Sequence, residues 1–288
     1  MRLAVLGCGS MATGILKGWL EKMQKDEEHI PYITACVRTE KSAERLRQVF
    51  QHYGDSIQPV VNGNLNATAS SDVVILAHKP YQLQKVLGEV GMAEALSGKM
   101  IISILAGVTT SQIRSVLTAG SGTSDSDNTQ FDILRAMPNI GARLGESMTL
   151  ISDPHDVSAN LLKFATGLFE KIGHVAEVPE ATYDVGTVLT GACYALTTVA
   201  LEGLMDGAVQ QGLPRPVALE VAAQCFKGLA KMLQQGEHPA LVRESICSPG
   251  GATITGIVEL ERHSVRSAFA DAIVTATTHT RTMAQRQD

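Results

Sequence analysis

Apolar residues along this chain fall into two regimes. Up to about residue 178, short apolar runs alternate with stretches in which apolar positions recur every three or four residues. The runs are Leu3–Leu6, Tyr32–Val37, Ile57–Val61, Val73–Ala77, Met100–Leu105, Ile133–Met137, Ser147–Ile151 and His174–Val178. Runs such as Val73–Ala77, with no polar alternation, predict strands of a parallel sheet covered on both faces. Between them, residues 15–25, 42–50, 110–117 and 160–171 carry helical spacing, and Pro80 ends a strand and opens a helix. Residues 118–132, rich in Ser, Gly, Asp and Thr, read as a surface insertion that cannot bury a core.

Alternation stops at Val178, and every later segment reads as helix. Residues 181–211 form one long helix closed by Gly212 and Pro214, and residues 216–235 form a second closed by Gly236. His238-Pro239 opens a third, a fourth follows Thr253, and a last one starts at Ser264 or Val265. The pattern predicts an α/β domain over residues 1–178 and an all-α domain over 179–288.

The first strand runs into Gly7-Cys8-Gly9-Ser10-Met11-Ala12. Gly7 permits a tight turn, Gly9 lets a pyrophosphate approach the backbone, and Ala12 allows close helix–strand packing. Ser10 and Met11 complete the start of the next helix, whose free N–H groups and dipole favour a dianion. A tight turn without a ligand has the same pattern. The motif lies in the first strand–helix unit, where a Rossmann-type dinucleotide site requires it. The second strand ends in Arg38-Thr39-Glu40-Lys41, where an NAD site usually places an acid. Arg38 and Thr39 can donate to a 2′-phosphate, so NADP is favoured, with Glu40 counting against it and NAD left open. Lys41 and Arg45 read as a solvated helix face. Later strands run into His78-Lys79-Pro80 and Ala106-Gly107, at the sheet edge where such folds hold ligands. Ala77, Lys79, Pro80, Ala106 and the later Asn139 therefore join the cofactor-binding set. For His78 and Lys79, a surface loop without a role is the competing reading.

A net charge of −5 with no basic cluster argues against nucleic acid as a partner. Five cysteines, odd in number and without a C-x-x-C or zinc spacing, predict buried free thiols in a reducing compartment and no metal site. With a strand at its very start, the chain is expected in the cytoplasm. Val185–Leu201 carries no charge over seventeen residues but includes four threonines and two glycines. It is at the short limit for a membrane span, and a helix buried between subunits explains it better. The spacings Gly191/Ala195 and Gly203/Gly207 permit close helix contacts. A homodimer or higher homo-oligomer is expected.

Ser248-Pro249-Gly250-Gly251-Ala252-Thr253 has the ingredients of an anion nest, with Gly250, Gly251 and Ala252 aiming N–H groups at a carboxylate and Thr253 adding a hydroxyl. An inter-helix turn with a Thr cap would look the same. Further pieces accompany these two turns: Lys79-Pro80, Ala106-Gly107-Val108-Thr109, Arg135-Ala136-Met137-Pro138-Asn139, Gly203-Leu204-x-Asp206-Gly207-Ala208 and Glu237-His238-Pro239-Ala240. With them the chain resembles the Δ1-pyrroline-5-carboxylate reductase family along nearly its whole length. The resemblance implies a Rossmann-type N-terminal domain, a helical C-terminal dimerisation domain, and a place in proline biosynthesis. The activity implied is reduction of a cyclic imino acid, 1-pyrroline-5-carboxylate or a substituted pyrroline carboxylate, to a proline. It also implies that Ser248–Thr253 holds the substrate carboxylate, with the Thr253 hydroxyl near the ring nitrogen as the catalytic group.

One segment departs from the family pattern. Where the family usually reads Ser-Gly-Ser-Gly-Pro-Ala-Tyr, this chain has Thr190-Gly191-Ala192-Cys193-Tyr194-Ala195-Leu196. A reshaped wall, a different imino acid, or a catalytically silent dinucleotide-binding or interaction protein would each follow from that change. A β-hydroxyacid dehydrogenase, which needs a catalytic lysine on its long inter-domain helix, is disfavoured because residues 181–211 contain no lysine.

Overall fold

The computed structural model describes residues 1–120, 131–152 and 157–285. Its first strand and helix, β1 (Arg2–Leu6) and α1 (Ser10–Lys25), are followed by β2 (Tyr32–Val37), α2 (Glu40–Val49), β3 (Ile57–Val61) and α3 (Asn64–Ala69). Next come β4 (Val73–Leu76), α4 (Leu83–Leu87), α5 (Met92–Leu96), β5 (Met100–Ser103) and α6 (Thr110–Gly120). The alternation closes with β6 (Asp132–Met137), β7 (Ser147–Ser152), α7 (Ala159–Glu170) and β8 (Gly173–Val178). The expected insertion over 118–132 falls mostly on residues outside those described. Its flanks are the end of α6 and the start of β6.

The strands form one sheet in the order β3-β2-β1-β4-β5-β6-β7-β8. β1 lies between β2 and β4, with Leu3 opposite Ile33 on one side and Val73 on the other. Chain order therefore reverses at β1, which makes its carboxyl end the switch point of a doubly wound sheet. Every described pairing is parallel except β6 with β7. Only a 3-10 turn over Ile140–Leu144 lies between those two strands. That link is too short for a parallel crossover, so the chain turns back on itself. Alternate β1 residues enter opposite layers: Leu3 and Val5 pack with Ile15 and Trp19, Ala4 and Leu6 with Leu87 and Ile101. This is the period-two signature of a sheet buried on both faces. α1 approaches closely because Gly18 lacks a side chain; a Cβ there would lie 2.1 Å from the Ala142 carbonyl oxygen.

Five helices follow: α8 (Glu180–Gln210), α9 (Arg215–Gln234), α10 (Pro239–Ser245), α11 (Ala252–Arg262) and α12 (Val265–Gln285). The first turns of α8 belong with the sheet. Arg135 of β6, 2% exposed, pairs with Glu180 and, at 3.4 Å, with Asp184. Its guanidinium also lies 4.1 Å from the Tyr183 ring centre. Arg281 of α12 reaches Asp184 at 3.8 Å. The compact units are accordingly residues 1–191 with 277–288, and residues 192–276.

The second unit buries little of its own surface. Ala218 and Val242 are buried, whereas Val199, Leu204, Leu219, Leu229 and Leu241 are exposed. Among the described residues, a Cβ at Gly203 or Gly207 would meet nothing within 4 Å. Burial of the thiols needs correcting. Cys8 and Cys36 are buried, but Cys193 and Cys225 are exposed, because they sit on helix faces this chain leaves open. Among the described residues, α8 is the one helix long and apolar enough, by length and composition, to cross a membrane.

Candidate functional site

The glycine turn after β1 is held by its own backbone. Gly7 and Cys8 both donate N–H bonds to the Cys36 carbonyl, at 3.1 and 2.8 Å, which ties the turn to the end of β2. Gly7 has φ +90°, and a Cβ there would lie 2.5 Å from the His78 Cα. Only glycine meets both demands. Gly9 has a different role: a Cβ there would touch nothing nearer than the Gly7 oxygen at 3.9 Å. Its missing side chain leaves room in front of the turn.

Gly9 is the N-cap of α1, which starts at Ser10 rather than Ile15, with no side-chain cap and no acid in its first turn. The N–H groups of Ser10, Met11 and Ala12 have no intrahelical acceptor, and the helix dipole adds positive potential where they point. Ser10 and Met11 are exposed while Ala12 packs in the core. Burial pushes the Cys8 thiol up to about 11 and the Cys36 thiol up to about 12, so neither is a nucleophile at neutral pH. Arg45 is exposed, as expected of a solvated helix face, and its guanidinium also reaches back from α2 to the Cys8 carbonyl and the Thr13 hydroxyl, each at 3.5 Å.

Beside the turn, a cavity of about 340 Å³ opens at the carboxyl ends of the strands, with Gly7, Arg38, Asn62, His78, Gln82 and Lys85 among its walls. Thr39 caps α2, its hydroxyl accepting the Ser42 N–H at 3.3 Å. The Glu40 carboxylate pairs with Arg47 at 2.8 Å, along the helix. Ala77 donates its N–H to the Leu6 carbonyl at 2.9 Å, which carries β4 alongside β1 up to the turn. Lys79 is exposed, Pro80 opens a 3-10 turn, and Ala106 is exposed beside Gly107, whose φ is +72°.

Asn139 follows β6 and is 4% exposed. Its side chain accepts the Gly141 N–H at 3.0 Å and donates to the Thr190 carbonyl at 3.4 Å. That amide fixes the chain reversal and the third turn of α8. Sequence reasoning passed over Asn62, Asn64, Gln82 and Lys85. Asn62-Gly63-Asn64 was detectable as a turn signal directly after β3, at the same ligand-bearing edge.

In the second compact unit, the loop before α11 turns at Gly250, whose φ is +69°. The Gly251 N–H donates to the Ser248 carbonyl at 3.0 Å. This corrects the expected nest, because the turn itself takes that donor. The donors left for a ligand are the Gly250 N–H and those opening α11, Ala252 and Thr253, again behind a glycine N-cap with no side-chain cap. Ala252 and Thr253 are both exposed.

A doubly wound sheet with a glycine turn at its switch point, an uncapped helix start and a cavity alongside defines a dinucleotide-binding α/β protein with an appended helical segment. Residues 2–107 match the family described as "NADP oxidoreductase coenzyme F420-dependent", and residues 180–283 match "Pyrroline-5-carboxylate reductase dimerisation". The chain is 38% identical to pyrroline-5-carboxylate reductase of Lophium arboricola, covering 96% of this chain and 91% of that protein. It is 36% identical to the Schizosaccharomyces pombe pyrroline-5-carboxylate reductase, covering 95% of each. The fold superposes on Plasmodium falciparum pyrroline carboxylate reductase, solved with NADP bound, with a TM-score of 0.82 at 22% identity over 99% of this chain and 98% of that one. The chain belongs to the pyrroline-5-carboxylate reductase family.

Proposed function

We propose that this protein is an NAD(P)H-dependent oxidoreductase acting on a C=N bond. Its substrate in this reading is 1-pyrroline-5-carboxylate, or a substituted pyrroline carboxylate, which it reduces to the corresponding proline. The observation that carries the proposal is the Ser248–Thr253 loop, in a family member whose α11 begins with free N–H groups beside an exposed threonine hydroxyl. Ala252 and Thr253 donate to the substrate carboxylate, and Ser248 and Gly250 shape the turn that presents them. In this reading Thr253 Oγ1 is the partner of the ring nitrogen. A protonated imine is already electrophilic, so the protein mainly has to hold and orient it. When bound, the reduced nicotinamide supplies the hydride.

Support for the cofactor half comes from α1 and the neighbouring cavity. Ser10, Met11 and Ala12 bind the diphosphate with backbone N–H groups, across the space that Gly9 leaves. Ala77, Lys79, Pro80 and Ala106 lie at the same edge of the sheet and complete the cofactor set, with Asn139 joining it by shaping the reversal after β6, since its own polar groups are already paired. NADPH is the preferred form because Arg38 lines the cavity while Glu40 is drawn to Arg47. We assign residues 1–178 to the cofactor and residues 179–288 to substrate and self-association, in a cytoplasmic homodimer or larger homo-oligomer.

The test is a panel of five- and six-membered cyclic imino acids assayed with NADPH and NADH side by side. Turnover of a pyrroline carboxylate, reduced about 100-fold in Thr253→Ala, is the expected result. Arg38→Ala is expected to raise KM for NADPH roughly tenfold and leave that for NADH unchanged. NADPH binding with no turnover across the panel would instead favour a silent dinucleotide-binding protein, the reading prompted by Ala192-Cys193-Tyr194.

A further inference from the structure

His78 sits immediately beyond β4 and forms part of the wall of the 340 Å³ cavity, facing the glycine turn across its own backbone. It is 7% exposed. Its Nδ1 lies 2.9 Å from the Lys79 carbonyl oxygen. A carbonyl can only accept, so Nδ1 carries the proton and Nε2 of the neutral ring is left with a lone pair. Nε2 is buried with no hydrogen-bond partner. Burial also pulls the imidazole below its ordinary 6.5, which keeps the ring neutral near pH 7. A buried polar atom without a partner is costly, and an apolar residue of similar size would avoid that cost. Histidine at this wall therefore points to a ligand that completes it.

We infer that His78 is a specificity-determining residue of the cofactor site, with Nε2 accepting a hydrogen bond from a donor on the adenosine half of the dinucleotide. The inference rests on the reading of the first glycine turn as the cofactor seat. A lone-pair acceptor excludes the phosphates as its partner, since their oxygens only accept at neutral pH. The adenosine of NADPH carries two kinds of donor, the 6-amino group of the base and the 3′-hydroxyl of its 2′-phosphorylated ribose. The cavity is bounded by Arg38 at the end of β2 and by Gln82 and Lys85 around α4. Cations suited to phosphate thus share it with the Glu89 carboxylate and with neutral groups suited to the nucleoside, the His78 ring beside the Asn62, Asn64 and Gln82 amides.

The experiment is an equilibrium titration of the full-length protein with NADPH and with deamino-NADPH, which lacks the 6-amino group, followed by nucleotide fluorescence. His78→Val removes the acceptor, and His78→Gln keeps one at the position of Nε2. If the donor is the base, wild type binds NADPH about tenfold more tightly than deamino-NADPH, His78→Val erases the difference, and His78→Gln restores much of it. If the donor is a ribose hydroxyl, His78→Val weakens both dinucleotides by a similar factor and His78→Gln recovers both. Either result supports the inference. Unchanged affinity for both dinucleotides in a folded His78→Val would overturn it and leave Nε2 to a buried water. Failure of wild type to bind NADPH at all would remove the cofactor reading itself, a different outcome visible before any variant is made.

Discussion

Two helices of this protein begin in nearly the same way. α1 and α11 each have a glycine N-cap in extended conformation, Gly9 at φ −83° and Gly251 at φ −76°, and neither has a side-chain cap. By contrast α2 is capped by Thr39 and α7 by Ser158, while the short α3 and α5 start behind Gly63 and Gly91, also without a side-chain cap but with neither glycine in extended conformation. A missing cap leaves orphan N–H groups for something else to satisfy. What differs is the support beneath them. Behind α1, Gly7 packs on His78, Cys8 is buried, and Ala12 and Ile15 enter the core. No residue of α11 is buried. One donor set is held rigid by its own unit, and the other rests on a loop with little packing of its own.

That contrast is broken most forcefully at Gly7. Gly7→Ala combines a left-handed φ with a backbone clash, so it is expected to cost about 3 kcal/mol or more and to abolish measurable NADPH affinity. Urea denaturation and a binding titration check it together, and an unchanged midpoint with unchanged affinity would mean that packing does not set the first seat. Gly250→Ala meets the same dihedral penalty in open space, so only about 1–2 kcal/mol is expected. Steady-state kinetics should show KM for the imino acid rising roughly tenfold while NADPH affinity stays put. A matching loss of NADPH affinity would show that the two helix starts are not independent.

The smallest effect is on pH dependence. His78 has a folded-state pKa below 6.5, so as pH falls from 6.5 towards that value the unfolded chain takes up the proton first. Stability contributed by the neutral ring is therefore present above pH 6.5 and is lost as pH drops through this window. The charged groups lining the same cavity are Arg38, Lys85 and Glu89. Denaturation midpoints of wild type and His78→Gln, measured from pH 7.5 to 5, should converge as pH falls; parallel curves would contradict a buried neutral imidazole.

Legibility in the sequence followed range. Strands and helices were readable because their signals are local: the apolar run Val73–Leu76, the glycines after β1, Gly212 and Pro214 after α8. The antiparallel β6–β7 pair was not read, since it depends on how few residues separate two strands that look like the others. Arg135 was readable as part of a family motif, but its pairing with Glu180 and Asp184 joins positions more than forty residues apart. The use of the Gly251 N–H by Ser248 escaped detection because a turn and an anion nest share one composition.

By itself, then, the sequence determined which segments are strand or helix, where glycine is needed, and which residues stand at the carboxyl ends of the strands. Those properties depend on dihedral preference, periodicity and side-chain type, all fixed within a few residues. Only tertiary structure decided that Arg45 turns back to the glycine loop, that Asn139 spends its amide on Gly141 and Thr190, and that Nε2 of His78 is left without a partner. Each depends on which distant groups meet in space, and a donor or acceptor is free or occupied only after the whole chain has packed.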